Sequence, residues 1–290
     1  MQVELNSPCK VNLILNILGK RPDGFHELET VMQPVPIFDH LTFGRSGSGM
    51  ILTCSHPELP TDSGNLVFRA AELFRETARI KDGVRIHLEK RIPLAAGLGG
   101  GSGNAAITLL GLNKIFGSPL SPAELDSLAR ALGSDVPFFL QDRPALAAGR
   151  GEQVKSLEPF PALRGKSLIL IHPGFGVSTA WAYKNLARFP AALHGTPGRA
   201  VRLVENLSVS LNVATPDFYN SLEAPVLEKF PLLSIFQEFL RTNGAHLALM
   251  SGSGSTTFAI AENAGKAETL VEKFRAHFGN FCWLVAITLG

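Results

Sequence analysis

Along the first hundred residues, short apolar runs alternate with turn-forming residues. Residues 84–89 place Val84, Ile86 and Leu88 on one face and Arg85, His87 and Glu89 on the other, which predicts a half-buried strand. Further strands are predicted over 10–17, 29–35, 39–43 and 50–54, with a turn over 19–24 marked by Pro22 and Asp23-Gly24. Helical spacing of Leu66, Ala70, Leu73 and Phe74 predicts a helix over 65–78, and Ala105, Leu109, Leu112 and Phe116 predict a second. A third opens at Ser121-Pro122-Ala123-Glu124, where serine and glutamate form a capping box and proline suits the first helical position. Leu125, Leu128, Ala129 and Leu132 form its apolar stripe, and Gly133 closes it.

The second half reads differently. Glu158-Pro159-Phe160-Pro161 is a predicted linker, followed by a buried strand over 166–172. Residues 179–240 read as largely helical, with breaks near Pro190 and Pro197. Strands over 246–250 and 256–261 flank the small-residue turn Ser251-Gly252-Ser253-Gly254-Ser255, and a helix over 266–278 and a strand over 282–289 complete the chain. Strands and helices are partly segregated, so an α+β fold is expected. The chain of 290 residues suits one large domain or two of ordinary size; with the linker as the boundary, two domains at 1–158 and 159–290 are expected.

Composition narrows the function. Apolar residues make up 45% of the chain, enough for a core. A formal charge of +2, without a basic tract, argues against a nucleic-acid partner. No uninterrupted apolar run is long enough for a membrane span, and the first residues lack the basic start and apolar core of a secretory signal. Cys9, Cys54 and Cys282 are widely spaced and have no zinc-ligand pattern. Free thiols in a reducing cytoplasm are therefore expected.

The candidate chemistry centres on Pro93, Leu94, Ala95, Ala96, Gly97, Leu98, Gly99, Gly100, Gly101, Ser102 and Gly103, between a predicted strand and a predicted helix. Glycines let the backbone approach a ligand, successive N–H groups can form an anion nest, and a following helix adds its positive end. A flexible loop is the plainer alternative. The G-x-x-x-x-G-K-[ST] phosphate loop is absent: at Gly165-Lys166-Ser167, Phe160 stands where its first glycine belongs. A G-x-G-x-x-A match at Gly101, Gly103 and Ala106 lies too deep in the chain to open a first βα unit.

Four other segments accompany the loop. They are Ser7-Pro8-Cys9-Lys10-Val11-Asn12, Asp23-Gly24-Phe25-His26-Glu27-Leu28, Gly133-Ser134-Asp135-Val136-Pro137-Phe138-Phe139 and the Ser251 turn. Together they resemble the GHMP small-molecule kinases, over nearly the whole chain. Within them, the Ser7–Asn12, Asp23–Leu28 and Gly133–Phe139 segments resemble the branch that acts on a cytidine diphosphate-linked 2-C-methyl-D-erythritol.

The resemblance implies a two-domain GHMP fold with the active site in the interdomain cleft. It also implies transfer of phosphate from ATP, accompanied by Mg²⁺, to a tertiary 2-hydroxyl. Asp135 corresponds to the catalytic proton acceptor and Lys10 to the catalytic lysine. Without the resemblance, Asp135 reads as a turn residue and Lys10 as a strand-edge charge. Phe25 and His26 match the cytidine-binding pair, with Phe25 standing where tyrosine is common. Asn12, Thr179 and Tyr183 match substrate positions, and Gly252, Ser253 and Gly254 would close on the substrate phosphates. Residues 93–103 match the ATP phosphate loop, and Asn65, Leu66 and Lys90 match the adenine pocket. Gly103 departs from the more frequent serine or alanine, and Cys9 from alanine. A mevalonate- or homoserine-type GHMP kinase, or a non-catalytic nucleotide-binding GHMP protein, remains the alternative. The partner implied is a small molecule, and the protein is expected as a monomer or weak homodimer.

Overall fold

The computed structural model describes residues 2–209 and 217–290. The part of the predicted helical stretch at 210–216 lies outside the described residues, as does Met1.

In chain order the elements are β1 (Gln2–Lys20), β2 (His26–Ser46), β3 (Met50–Cys54), α1 (Leu66–Thr77), β4 (Gly83–Glu89), α2 (Gly100–Ile115) and α3 (Pro122–Leu132). There follow β5 (Ala145–Ala148), β6 (Gln153–Ser156), β7 (Ser167–His172), α4 (Thr179–Leu186), α5 (Pro190–Leu193), α6 (Arg199–Val209) and β8 (Tyr219–Asn220). The last are α7 (Glu223–Lys229), α8 (Pro231–Thr242), β9 (Leu247–Met250), β10 (Thr257–Ala261), α9 (Ala264–Phe278) and β11 (Trp283–Thr288). Short 3-10 turns lie at Pro137–Leu140 and Pro161–Leu163.

The chain forms two compact units. The first takes Met1–Cys9, Pro36–Ile92 and Gly99–Asp142; the second takes Lys10–Val35, Pro93–Leu98 and Arg143–Gly290. They are cut differently from the single boundary expected at residue 158. The long strands β1 and β2 each give one end to each unit, so compactness does not follow chain order.

In the first unit the strand order is β3-β4-β2-β1. β4 runs antiparallel to β2, with Leu41 opposite Leu88, and parallel to β3. Phe43 of β2 is fully buried and packs on Gly111 of α2, where a Cβ would lie 2.5 Å from the ring. That glycine sets how closely α2 approaches its sheet. α1 buries Val67, Ala70, Ala71 and Phe74, while Leu66 and Leu73 stay half-buried. Phe116 caps the end of α2 rather than extending its stripe, and its ring stacks against Phe74.

In the second unit an antiparallel sheet has the order β11-β7-β10-β9. Phe236 and Leu240 of α8 and Leu270 and Phe274 of α9 pack in one core with Ile169, Ile171, Ala259 and Ala261 of the sheet. The start of β2 pairs with β5, and β1 pairs in parallel with β8.

The predicted strands 29–35 and 39–43 are one continuous strand. Residues 30–32 pair with β5 and 40–46 with β4, so Pro34 and Pro36 fall between the paired stretches. The break expected near Pro190 lies at residues 187–189, and Pro190 then starts α5 as its first residue. The short strands β5, β6 and β8 had no pattern of their own in the sequence and exist through their partners.

Candidate active site

The phosphate-loop candidates fall in both units. In the first, α2 begins at Gly100, inside the predicted loop, so Gly100, Gly101, Ser102 and Gly103 form its first turn. Gly99 is its N-cap in the left-handed region (φ 70°), and no side chain caps the helix start. The first-turn N–H groups and the positive end of a 16-residue helix therefore offer an anion site. Leu66 reaches Gly101, with its Cδ1 3.7 Å from the place of an added Cβ.

Gly103 is tightly enclosed. An added Cβ would lie 2.7 Å from the Pro8 carbonyl oxygen and 3.0 Å from Ser7 Oγ. Gly103→Ala gains roughly 1 kcal/mol in helix propensity, but backbone must move to admit the methyl group. A net loss of about 1–2 kcal/mol is expected, seen as a lowered thermal midpoint. A raised midpoint would show that the β1–α2 contact yields freely.

Lys90 and Asp39 form a buried ion pair of 2.5 Å. Asp39 Oδ1 also accepts the Arg91 and Ile92 N–H groups at 2.7 and 2.8 Å, and Lys90 Nζ donates to the Ile92 carbonyl at 2.7 Å. Burial pulls the Lys90 ammonium below its ordinary value, against the opposing charge of Asp39. The pair ties down the chain that enters the loop, and Lys90 Nζ lies 3.2 Å from the Cβ position of Gly100. Asp39 escaped the sequence reading. Its signal was a lone carboxylate inside the apolar run Ile37-Phe38-Asp39-His40-Leu41. Asn65, expected near adenine, caps α1: its Oδ1 accepts from the Val67 N–H and its Nδ2 donates to the Pro60 carbonyl.

Asp135 sits half-buried in the turn after α3, closed by the Val136 N–H donating to the Gly133 carbonyl at 3.2 Å. Val136, Phe138 and Phe139 are buried directly after it, so apolar anchors hold a polar rim in place.

The second unit holds the rest. Lys10 is only 2% exposed, and its Nζ donates to Asn12 Oδ1 at 2.7 Å and to the Gly97 carbonyl at 2.9 Å. Asn12 Nδ2 donates to Thr30 Oγ1, and the Thr30 hydroxyl donates to the Ile14 carbonyl. The direction of this relay fixes the Asn12 oxygen toward Lys10. Ser251 Oγ donates to the same Gly97 carbonyl at 2.9 Å. Gly97 (φ 76°) has no room for a side chain, because a Cβ would lie 2.0 Å from the Ser251 carbonyl oxygen. The Thr256 N–H donates to Ala96, and the Val177 N–H to Ala95. Residues 93–98 are thus laced to the Ser251 turn, which forms the tight connection between β9 and β10 that the sequence predicted.

Thr179 and Ser253 share a hydroxyl hydrogen bond of 2.8 Å. His26 and Tyr183 lie with ring centroids 5.0 Å apart, and the neighbouring Phe25 ring is half exposed. The Phe25 N–H donates to Asp23 Oδ1, which shapes the turn. Arg150 covers one face of Phe25, its guanidinium carbon 4.4 Å from the ring centroid; no sequence motif pointed to it. Burial, aided by the Lys20 charge, holds His26 below its ordinary value.

Cys9 is buried, and all three cysteines are free thiols. Among the described residues no helix is long and apolar enough to cross a membrane.

Two family matches follow the same layout. Residues 65–143 match the GHMP kinases N terminal domain and residues 191–280 match the GHMP kinases C terminal domain. With the α+β architecture, these make the chain a GHMP kinase, an ATP-dependent small-molecule kinase. It is 40% identical over 276 residues to 4-diphosphocytidyl-2-C-methyl-D-erythritol kinase of Synechococcus sp. (strain JA-3-3Ab), covering 93% of this chain and 88% of that one. It is 42% identical over 268 residues to the kinase of the same name from Syntrophus aciditrophicus (strain SB), covering 92% of each. A crystal structure of 4-(cytidine 5'-diphospho)-2C-methyl-D-erythritol kinase superposes with a TM-score of 0.80 at 37% identity, covering 99% of this chain and 100% of that one. Within the GHMP kinases, the chain belongs to the 4-diphosphocytidyl-2-C-methyl-D-erythritol kinase family.

Proposed function

We propose that this protein transfers the γ-phosphoryl group of ATP to the 2-hydroxyl of 4-diphosphocytidyl-2-C-methyl-D-erythritol, giving the 2-phosphate and ADP, in isoprenoid precursor synthesis. The observation that carries the reading is the Lys10 ammonium fixed on the Gly97 carbonyl, in the same unit as the His26 and Tyr183 rings. A cation on the phosphate loop suits phosphoryl transfer, and ring faces beside a histidine suit a pyrimidine nucleoside.

Phosphoryl transfer asks the protein mainly to position groups and stabilise charge. In this reading Asp135 accepts the proton of the acceptor hydroxyl, and Lys10 stabilises the developing alkoxide. Asn12 orients Lys10 and serves the acceptor with it. Residues 93–103 cradle the ATP phosphates, with Asn65, Leu66 and Lys90 on the adenine side. Phe25 stacks on cytosine, and His26 reads its edge. Thr179, Tyr183, Gly252, Ser253 and Gly254 line the acceptor side. Mg²⁺ arrives with ATP as part of the substrate.

The test is ADP release with ATP, Mg²⁺ and the cytidylated acceptor, beside mevalonate and homoserine. ADP formed only with the cytidylated acceptor is expected. Turnover of mevalonate or homoserine instead would move the protein to another acceptor. A pH titration adds to it. Neutral His26 both donates and accepts, and its protonation removes the acceptor. With the group held below 6.5, KM for the cytidylated acceptor should be flat above that pH and rise as pH falls through the lowered value. His26→Ala should abolish that acid limb.

A further inference from the structure

We propose that Asn220 and Glu223 are positioning residues for the reaction: they strap the Ser251–Ser255 turn against Lys10. The inference rests on the reaction proposed above.

The Asn220 side chain is 1% exposed, and its Nδ2 donates to two carbonyls at 2.8 Å each, those of Met250 and Gly252. Its Oδ1 accepts the Leu222 N–H at 2.9 Å, which fixes the amide orientation. Glu223 Oε1 accepts the Met250 N–H at 2.8 Å and is itself held by Gln237 Nε2 at 2.6 Å. Both backbone polar groups of Met250, the last residue before the turn, are therefore held by residues 220 and 223.

The other end of the strap is β1, the strand that carries Lys10. Asn220 pairs with Leu15, the Ser221 N–H donates to the Leu15 carbonyl at 2.8 Å, and the Ile17 N–H donates to Ser221 Oγ at 2.9 Å. The turn meets Lys10 directly. A Cβ on Gly252 (φ 55°) would lie 3.2 Å from Lys10 Nζ and 2.8 Å from the Gly97 carbonyl oxygen. Carbonyl and following N–H point in opposite directions across a trans peptide. Drawing the Gly252 carbonyl toward Asn220 therefore aims the Ser253 N–H the other way. Buried space is filled equally well by an aspartate at 220, but only the amide can donate to two carbonyls.

The experiment compares kcat, KM and thermal midpoint of the full chain with those of Asn220→Asp, Glu223→Ala and Glu223→Gln. A displacement on the order of 1 Å can cost about 100-fold in rate, so a 10- to 100-fold loss of kcat is expected for Asn220→Asp. KM for ATP should stay within about threefold. Glu223→Gln, which keeps an oxygen for the Met250 N–H, should recover most of the kcat that Glu223→Ala loses. A kcat within about twofold of wild type in folded Asn220→Asp, with only the midpoint lowered, would overturn the proposal. If Asn220→Asp does not fold, equal kcat for the two Glu223 variants would do the same. Wild type run on mevalonate and homoserine in parallel separates the two readings. Turnover of either in place of the cytidylated acceptor overturns the acceptor, while the variant ratios on that substrate still decide the strap.

Discussion

Asp135→Asn is expected to lower kcat by about 10²–10⁴-fold, the usual worth of a positioned general acid or base. Asparagine keeps the shape and polarity of the side chain but cannot accept the hydroxyl proton as a carboxylate does. The site is half-buried and its turn is anchored by Val136, Phe138 and Phe139, so the fold should not change. The loop glycines and the start of α2 are untouched, and ATP affinity by calorimetry should stay within about threefold. Turnover at the wild-type rate would remove Asp135 from the proton-accepting role. Loss of ATP binding in step with turnover would make it a nucleotide-site residue instead.

Lys10→Met is expected to lower kcat by about 10²–10³-fold, the size reported for removal of one preorganised group that stabilises developing charge. Methionine keeps much of the buried stem and removes the ammonium. The Gly97 carbonyl retains the Ser251 hydroxyl, but Asn12 Oδ1 loses a 2.7 Å partner in a buried place. That orphaned acceptor should cost about 1–3 kcal/mol of stability, read as a lowered midpoint alongside the kinetic loss. Lys10→Arg should restore little. A planar fork is not a compact point charge, and the relay from Thr30 through Asn12 presents one oxygen at one place. A kcat fully recovered in Lys10→Arg would mean that charge alone, without placement, is what the reaction needs.

Elements with a local cause were legible before any fold was known. β3 spans the predicted residues, 50–54. α3 starts at the predicted capping box, where Ser121 and Glu124 each hold the other's backbone N–H. Gly97 and Gly99 take positive φ ahead of α2, which is why a glycine cluster between strand and helix was informative. The His26 and Tyr183 rings, far apart in the chain, lie with centroids 5.0 Å apart.

Other features left no periodic trace. β8 is two residues long and exists because Leu15 and Ile14 pair with it. Asp39 is a single charge in an apolar run, and its worth depends on Lys90, 51 residues away. Asn65 and Asn12, read as ligand contacts, also bond to the protein itself, one as a helix cap and one as the orienting partner of Lys10.

Local sequence set the longer strands and helices, the glycine loop and the chemical groups available to it. Those depend on side-chain period, caps and backbone freedom, all set within a few residues. Tertiary structure alone decided that β1 and β2 would each serve both compact units, and that Lys10 and Ser251 would hold the same Gly97 carbonyl. It also decided that Asn220 would grip the Met250 and Gly252 carbonyls, 30 and 32 residues away. A hydrogen bond between distant segments leaves no periodic mark in either partner's sequence, so only the folded chain records it.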